Sequence, residues 1–209
     1  MGKSINTIID DVSLTEKEKV EQVTKVILSM DVCDQVSING SLNENAISFF
    51  YCNINSIPMH DAAKEHIVMQ YFWNCIDKTG VTDDLISMLV EYYKIFNYLA
   101  LESIAINLMK NNRVTREQVK LFQTVFSGKV FHKELIVYEK SKLMTDGWIL
   151  NKEDVELLMN VEAYALLEAA LDKYIIEKDA LSLFKPIASG EKNKKIIDRL
   201  YNKARLMLL

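Results

Sequence analysis

The side chains best placed to do chemistry lie between residues 60 and 66, in the segment HDAAKEH. A histidine followed by an aspartate in a helical protein suggests a metal-dependent phosphohydrolase, and Asp61 and Glu65 share one helix face. His60 and His66 are six residues apart and point about 120° away from each other, whereas paired metal ligands on a helix are four apart. The segment therefore predicts a polar first helical turn, with a metal-dependent hydrolase at His60, Asp61 and Glu65 as an alternative.

No other group of residues completes a catalytic or metal site. His132 is the remaining histidine. Lys129 and Ala63 stand three positions before His132 and His66, where a ferritin-like di-iron site would need glutamates. No G-x-S-x-G elbow supports a serine nucleophile. We therefore expect no metal and no cofactor, and the pattern favours a protein that is not an enzyme.

A stripe of basic residues lies near the end of the chain, in a helix predicted at about 191–207 after a loop through Ser189 and Gly190. Apolar residues occupy another face of this helix. The helix could pack its apolar face on an acidic body, present its basic face to nucleic acid, or bind an acidic surface of a protein partner. The residues that would make the last two contacts are Lys192, Lys195, Arg199, Lys203 and Arg205.

Aromatic residues follow one another at 49–51 (FFY) and 71–73 (YFW). Each step along a helix turns by 100°, so three consecutive side chains cannot face the same core. Some must pack against a second layer of helices or remain exposed. Exposed aromatic residues would indicate a protein–protein surface or a homodimer seam.

Two long apolar segments must organise these groups. Residues 82–110 contain no glycine or proline and are apolar around most of a helix, which predicts one central helix about 40 Å long. Residues 152–179 predict a second long helix that packs against it. The chain has only two prolines and six glycines, which favours helices over a β-sandwich. We expect an all-α bundle of seven to nine helices around these two.

The domain prediction is an N-terminal helical arm at 1–40 and a main bundle at 41–209. Residues 31–43 alternate only weakly and end in turn residues, so we predict a loop there that separates the arm from the bundle.

Composition narrows the class of protein. The net charge of −4 argues against a wholly basic nucleic-acid-binding surface. Three widely spaced cysteines without a C-x-x-C pair, and no apolar leader at the N-terminus, predict a cytoplasmic protein. The excess of lysine over arginine, 21 to 4, fits a low-GC bacterium or its phage.

These features favour a non-catalytic helical protein that binds a protein partner as a regulator, adaptor or inhibitor. The sequence leaves open a nucleic-acid-binding protein that uses the basic C-terminal helix, and a metal-dependent hydrolase near His60 and Asp61. A homo-oligomer is compatible with the aromatic runs, and no segment predicts membrane insertion.

Overall fold

Helices build the protein, as the sequence predicts. The computed structural model describes residues 2–186 and 192–208. Within those ranges twelve α-helices form and no β-strand does, and one isolated β-bridge joins Leu150 to Ile176. The all-α fold class is therefore confirmed. None of the described helices is both long enough and apolar enough to cross a lipid bilayer.

The helices follow one another with short connections. They are α1 (Gly2–Asp10), α2 (Glu16–Leu28), α3 (Val32–Ser37), α4 (Glu44–Cys52), α5 (Asp61–Thr79), α6 (Asp83–Phe96), α7 (Leu99–Lys110), α8 (Arg116–Gln123), α9 (Lys129–Thr145), α10 (Lys152–Asn160), α11 (Tyr164–Asp172) and α12 (Lys194–Leu208). Two 3₁₀ turns, Ile38–Ser41 and Ala180–Leu183, complete the set. The predicted loop residues Ser189 and Gly190 and the predicted helix start at 191 lie outside the described residues.

Local capping residues set many of the helix ends. The side chains of Thr15, Thr82, Thr115 and Asn151 each accept a hydrogen bond from the backbone N–H three residues along, which satisfies a donor that the helix itself leaves unpaired. Gly80 ends α5 with a positive φ of 75°. The chain therefore starts and stops these helices through residues that the sequence marks.

The prediction of one long helix over 82–110 is wrong. Helix α6 ends at Phe96, and α7 begins at Leu99. Between them Asn97 adopts the left-handed conformation with φ 52°, and its N–H donates to the carbonyl of Tyr93 at 2.7 Å. Asparagine enters this region more easily than other residues with a Cβ, so the helix breaks here without a glycine or proline.

The prediction of a second long helix over 152–179 is also wrong. It divides into α10 and α11, and Glu162 between them has a φ of 57°. The N–H of Ala163 donates to the carbonyl of Leu158 at 2.8 Å, which closes the end of α10. The break lets Leu158 and Leu167 share one apolar core. Tertiary burial therefore outweighs helix propensity at this position.

The predicted loop at 31–43 is largely helical. Asp31 caps α3, because its carboxylate accepts from the N–H of Asp34 at 2.8 Å. Asn43 caps α4, because its side-chain oxygen accepts from the N–H of Ala46 at 2.8 Å. This extra helix and the two helix breaks explain why the described part exceeds the predicted seven to nine helices.

Contacts divide the chain into two compact units. The first unit comprises Met1–Leu108 and Arg113–Phe126. Within it α4 packs against α1 and α5, α3 packs against α5, and α6 packs against α5 and α8. Its core contains fully buried rings of Phe50, Phe72 and Phe122.

The second unit comprises Met109–Asn112 and Ser127–Leu209. Helix α11 contacts α9, α10 and α12, and the Ala180–Leu183 turn packs on α10 and α12. Val155, Leu167 and Leu200 lie in its buried apolar cluster. The apolar face of α12 therefore belongs to this core.

The left-handed backbone at Asn97 gives a test of the helix break. We expect Asn97→Ala to lower the free energy of unfolding by about 1 kcal/mol, because a left-handed residue with an ordinary Cβ is strained. Asn97→Gly should leave it unchanged or raise it slightly. Urea denaturation followed by circular dichroism measures both. An alanine variant with more helix and undiminished stability would instead indicate one continuous helix.

Candidate functional site

The junction of α6 and α7 places large aliphatic side chains in water. The side chain of Ile95, in the last turn of α6, is 71% exposed, and that of Leu99, at the start of α7, is 67% exposed. Phe96 and Tyr98 lie between them in the chain and are half-buried. We call these four residues the corner. It presents apolar surface at a helix junction within the first unit.

A carboxylate from α5 fixes the geometry of the corner. The Oε1 atom of Glu65 accepts a hydrogen bond from the backbone N–H of Ala100 at 2.6 Å. The first N–H groups of a helix have no partner within that helix, so a carboxylate there supplies one and also interacts favourably with the helix dipole. Glu65 therefore joins α5 to the first turn of α7, immediately after Leu99.

A row of stacked, half-buried aromatic rings leads to the corner and shares Phe96 and Tyr98 with it. The ring centroids of Tyr71 and Tyr51 are 3.7 Å apart, those of Tyr51 and Tyr92 5.1 Å, those of Tyr92 and Phe96 4.5 Å, and those of Phe96 and Tyr98 5.4 Å. We call these five residues the aromatic row. It connects α4, α5 and α6 to the corner by continuous ring contacts, and each pair adds to the packing energy.

Phe72 lies beneath the aromatic row. Its fully buried ring meets Tyr51, Tyr71 and Tyr92 edge-on, at centroid distances of 6.1, 6.0 and 6.2 Å. The consecutive aromatic residues of the sequence therefore separate as the helical turn requires. Phe72 enters the core, whereas Tyr71 stays half-buried on its surface.

Burial changes the acidity of the tyrosines in the row. Desolvation raises the pKa of Tyr51 and of Tyr92 well above the ordinary value of 10.0. The pKa of Tyr98 is raised first by burial and then by the nearby carboxylates of Asp61 and Glu65. The hydroxyl oxygen of Tyr92 is buried without a hydrogen-bond partner among the described residues. These phenols are held in the neutral form by their surroundings.

The three predicted hydrolase residues lie at the start of α5. His60 is the N-cap, and its Nδ1 accepts from the N–H of Ala62 at 3.3 Å. Asp61 is exposed in the first turn, and Glu65 is bonded to Ala100 as described. Among the described residues no three His, Cys, Asp or Glu side chains converge in a way that could hold a metal ion. The structure thus gives His60 and Glu65 capping roles at two helix starts.

The basic stripe of α12 meets the acidic face of α11. Arg199 pairs with Glu168 at 2.7 Å, and Lys203 contacts both Glu168 at 2.9 Å and Asp172 at 2.7 Å. Hydrogen bonds to Asp172 and then to Glu168 raise the pKa of Lys203. These ion pairs neutralise much of the stripe while Leu200 is buried in the core of the second unit.

The other predicted basic residues form weaker ion pairs or none within the described part of the chain. Lys192 reaches Glu162 at 3.4 Å. Lys195 and Arg205 are exposed, and no ion-pair partner for either is found in the part of the chain that the structure describes. Two separated cations could neutralise few phosphates, and the affinity for nucleic acid rises with the number of phosphates contacted.

The chain matches no protein-family model, no curated protein and no solved structure. A role for the corner has to be inferred from its own geometry and charge.

The sequence prediction missed the corner. One continuous helix over 82–110, apolar around most of its circumference, implies that Ile95 and Leu99 are covered and buried. The one indication was Asn97, a residue type that tolerates left-handed backbone. The aromatic runs at 49–51 and 71–73 leave two outcomes open, a second layer of helices or exposed rings, and in the structure Tyr51 and Tyr71 are half-buried.

The unpaired hydroxyl of Tyr92 gives a second testable prediction. We expect Tyr92→Phe to raise the free energy of unfolding by about 1 kcal/mol at neutral pH, because a buried hydroxyl without a partner costs about 1–3 kcal/mol. Tyr174→Phe, at a tyrosine that is 76% exposed, is the matched control and should change little. Urea denaturation measures both variants. A loss of stability in Tyr92→Phe would show that the hydroxyl has a partner.

The same variant should change the alkaline pH dependence. The pKa of Tyr92 is raised in the folded protein, so the unfolded chain loses its phenolic proton first. Stability from this residue is complete below about pH 10 and declines as the pH rises from there toward the folded pKa. We therefore expect a shallower decline above pH 10 for Tyr92→Phe than for the parent, and an equal decline would contradict the assigned shift.

Proposed function

We propose that this protein is a non-catalytic, cytoplasmic binding protein that contacts a protein partner through the corner, as a regulator, adaptor or inhibitor. The observation that supports this most is the exposure of Ile95 and Leu99 at a junction held by Glu65 and the aromatic row. Exposed aliphatic residues next to half-exposed aromatic rings are typical of protein interfaces.

The energetics favour a binding surface at this place. Burial of an aliphatic side chain of this size contributes about 1.5–3 kcal/mol, so Ile95 and Leu99 together could supply several kcal/mol to association. The ring contacts and the bond between Glu65 and Ala100 order the surface before a partner arrives. A surface that is already ordered loses less conformational entropy on binding, which strengthens association.

The exposed thiols fit a reducing compartment. Cys33 and Cys52 are free and exposed, and Cys75 is free and half-buried. Proteins of oxidising compartments usually pair such residues in disulfides. This supports the cytoplasmic part of the proposal.

The test is a tagged pull-down from the native cell at low ionic strength, with and without nuclease. The test variant combines Ile95→Ser with Leu99→Ser. The control variant combines Leu28→Ser with Leu206→Ser, whose side chains are 66% and 72% exposed and so match the pair in the corner. Circular dichroism checks that each variant is folded.

We expect one stoichiometric protein that survives nuclease treatment, binds the parent and the control equally, and is lost from the corner variant by at least about tenfold. Equal capture by all three would exclude the corner as the binding surface. Capture of nucleic acid alone would favour Lys195 and Arg205 instead and overturn the proposal.

A further inference from the structure

The corner is bordered by carboxylates on two sides. On α5, Asp61 and Glu65 are four residues apart and therefore share a helix face. Both lie close enough to Tyr98 to raise the pKa of its phenol. On α6, Glu91 is exposed one helical turn before Ile95, on the same face. Carboxylates of both helices therefore lie near the apolar surface, with Lys64 on α5 and Lys94 on α6 interspersed among them in the chain.

Only part of this charge is neutralised locally. Lys94 pairs with Glu91 at 2.6 Å, but the Glu91 side chain remains 65% exposed. Over the whole first unit the sequence places 16 acidic residues against 10 lysines and arginines, a net charge of −6. The second unit has 13 acidic and 15 basic residues, a net charge of +2. The excess of negative charge therefore belongs to the unit that presents the corner.

We infer that the partner segment that occupies the corner is a basic amphipathic helix, with aliphatic side chains against Ile95 and Leu99 and lysines or arginines facing Asp61 and Glu91. This inference rests on the proposed function, since it assigns the chemistry of the partner that the corner binds.

The shape of the surface favours a helix as the occupant. A helix places aliphatic residues at i, i+3, i+4 and i+7 on one face and charged residues on both flanks, which matches an apolar surface between two acidic helices. An extended peptide gains affinity by pairing with the edge of a sheet, and the described residues of the first unit form no strand.

Other occupants fit the charge less well. Phosphates of nucleic acid and anionic lipid headgroups would meet Asp61 and Glu91 and be repelled. A second copy of this chain has its own basic amphipathic helix, α12, but the apolar face of that helix, with Leu200, is buried in the core of the second unit, and Arg199 and Lys203 are paired with Glu168 and Asp172. An independent basic helix avoids both conflicts.

The experiment uses the full chain and a fluorescent peptide of about five helical turns, built only from leucine on one face and lysine on the other. A matched peptide carries glutamate at every lysine position. Binding is measured by fluorescence anisotropy at low and high ionic strength. The charge variant combines Asp61→Asn with Glu91→Gln, and its control combines Glu21→Gln with Asp77→Asn, two exposed acids elsewhere in the first unit. Glu65 is left intact because it caps α7.

We expect the basic peptide to bind the parent, and the acidic peptide to bind at least about tenfold more weakly. The charge variant should lose about fivefold or more at low ionic strength, and less at high ionic strength, whereas its control stays within about twofold. The Ile95→Ser, Leu99→Ser variant should lose about tenfold at both ionic strengths.

The outcomes separate this inference from the proposed function. If the charge variant behaves like its control, or the acidic peptide binds equally well, the basic partner is excluded. Loss of peptide binding in the corner variant would then still support an apolar docking surface. Equal binding by the corner variant and the parent would overturn both. Sedimentation that shows the parent chain self-associating, and the corner variant not, would assign the corner to a second copy and overturn the basic-helix inference.

Discussion

The hydrogen bond from the Ala100 N–H to the Glu65 carboxylate is the contact on which the surface of the first unit depends. A left-handed residue with a Cβ costs about 1–2 kcal/mol, although asparagine at position 97 reduces that cost. A hydrogen bond to a charged group contributes about 1.5–3 kcal/mol. The free energy gained from this hydrogen bond is therefore comparable to the cost of the left-handed residue that ends α6. The Glu65 cap stabilises the start of α7 directly after that residue. Ile95 and Leu99 emerge on either side of that stop.

The two charged features of the protein differ in how far they are satisfied internally. On α12 the basic side chains of Arg199 and Lys203 find carboxylates on α11, so an obvious candidate for binding becomes an ordinary packed helix. At the corner the apolar side chains have no cover within the first unit, and the carboxylate of Glu91 is shared with a single lysine. The corner therefore keeps apolar surface exposed to solvent, and this exposure supports the proposed docking role. We therefore assign the proposed basic partner helix to the corner rather than to α12.

What the sequence predicts well is local, and what it misses depends on tertiary packing. Thr82 and Asn151 cap helices because a short side chain and the backbone three residues along suffice for the bond. The break at Glu162 has no such local marker, since it exists because Leu158 and Leu167 gain a common core. The site follows the same rule. His60 and Glu65 form a recognisable polar group in sequence, but only the approach of Ala100, 35 residues further on, shows that Glu65 caps a helix.

The tyrosines of the aromatic row pack against one another and against Phe72. A general acid or base works best when its pKa is near the working pH. Burial moves the pKa of Tyr51 and Tyr92 in the opposite direction, above 10.0, so that both remain protonated at neutral pH. The buried hydroxyl of Tyr92 bonds to no described residue. The contacts of Tyr92 with Phe96, and of Phe96 with Tyr98, hold the two aromatic rings of the corner. The same burial that raises these pKa values therefore orders the rings on which the proposed docking surface depends.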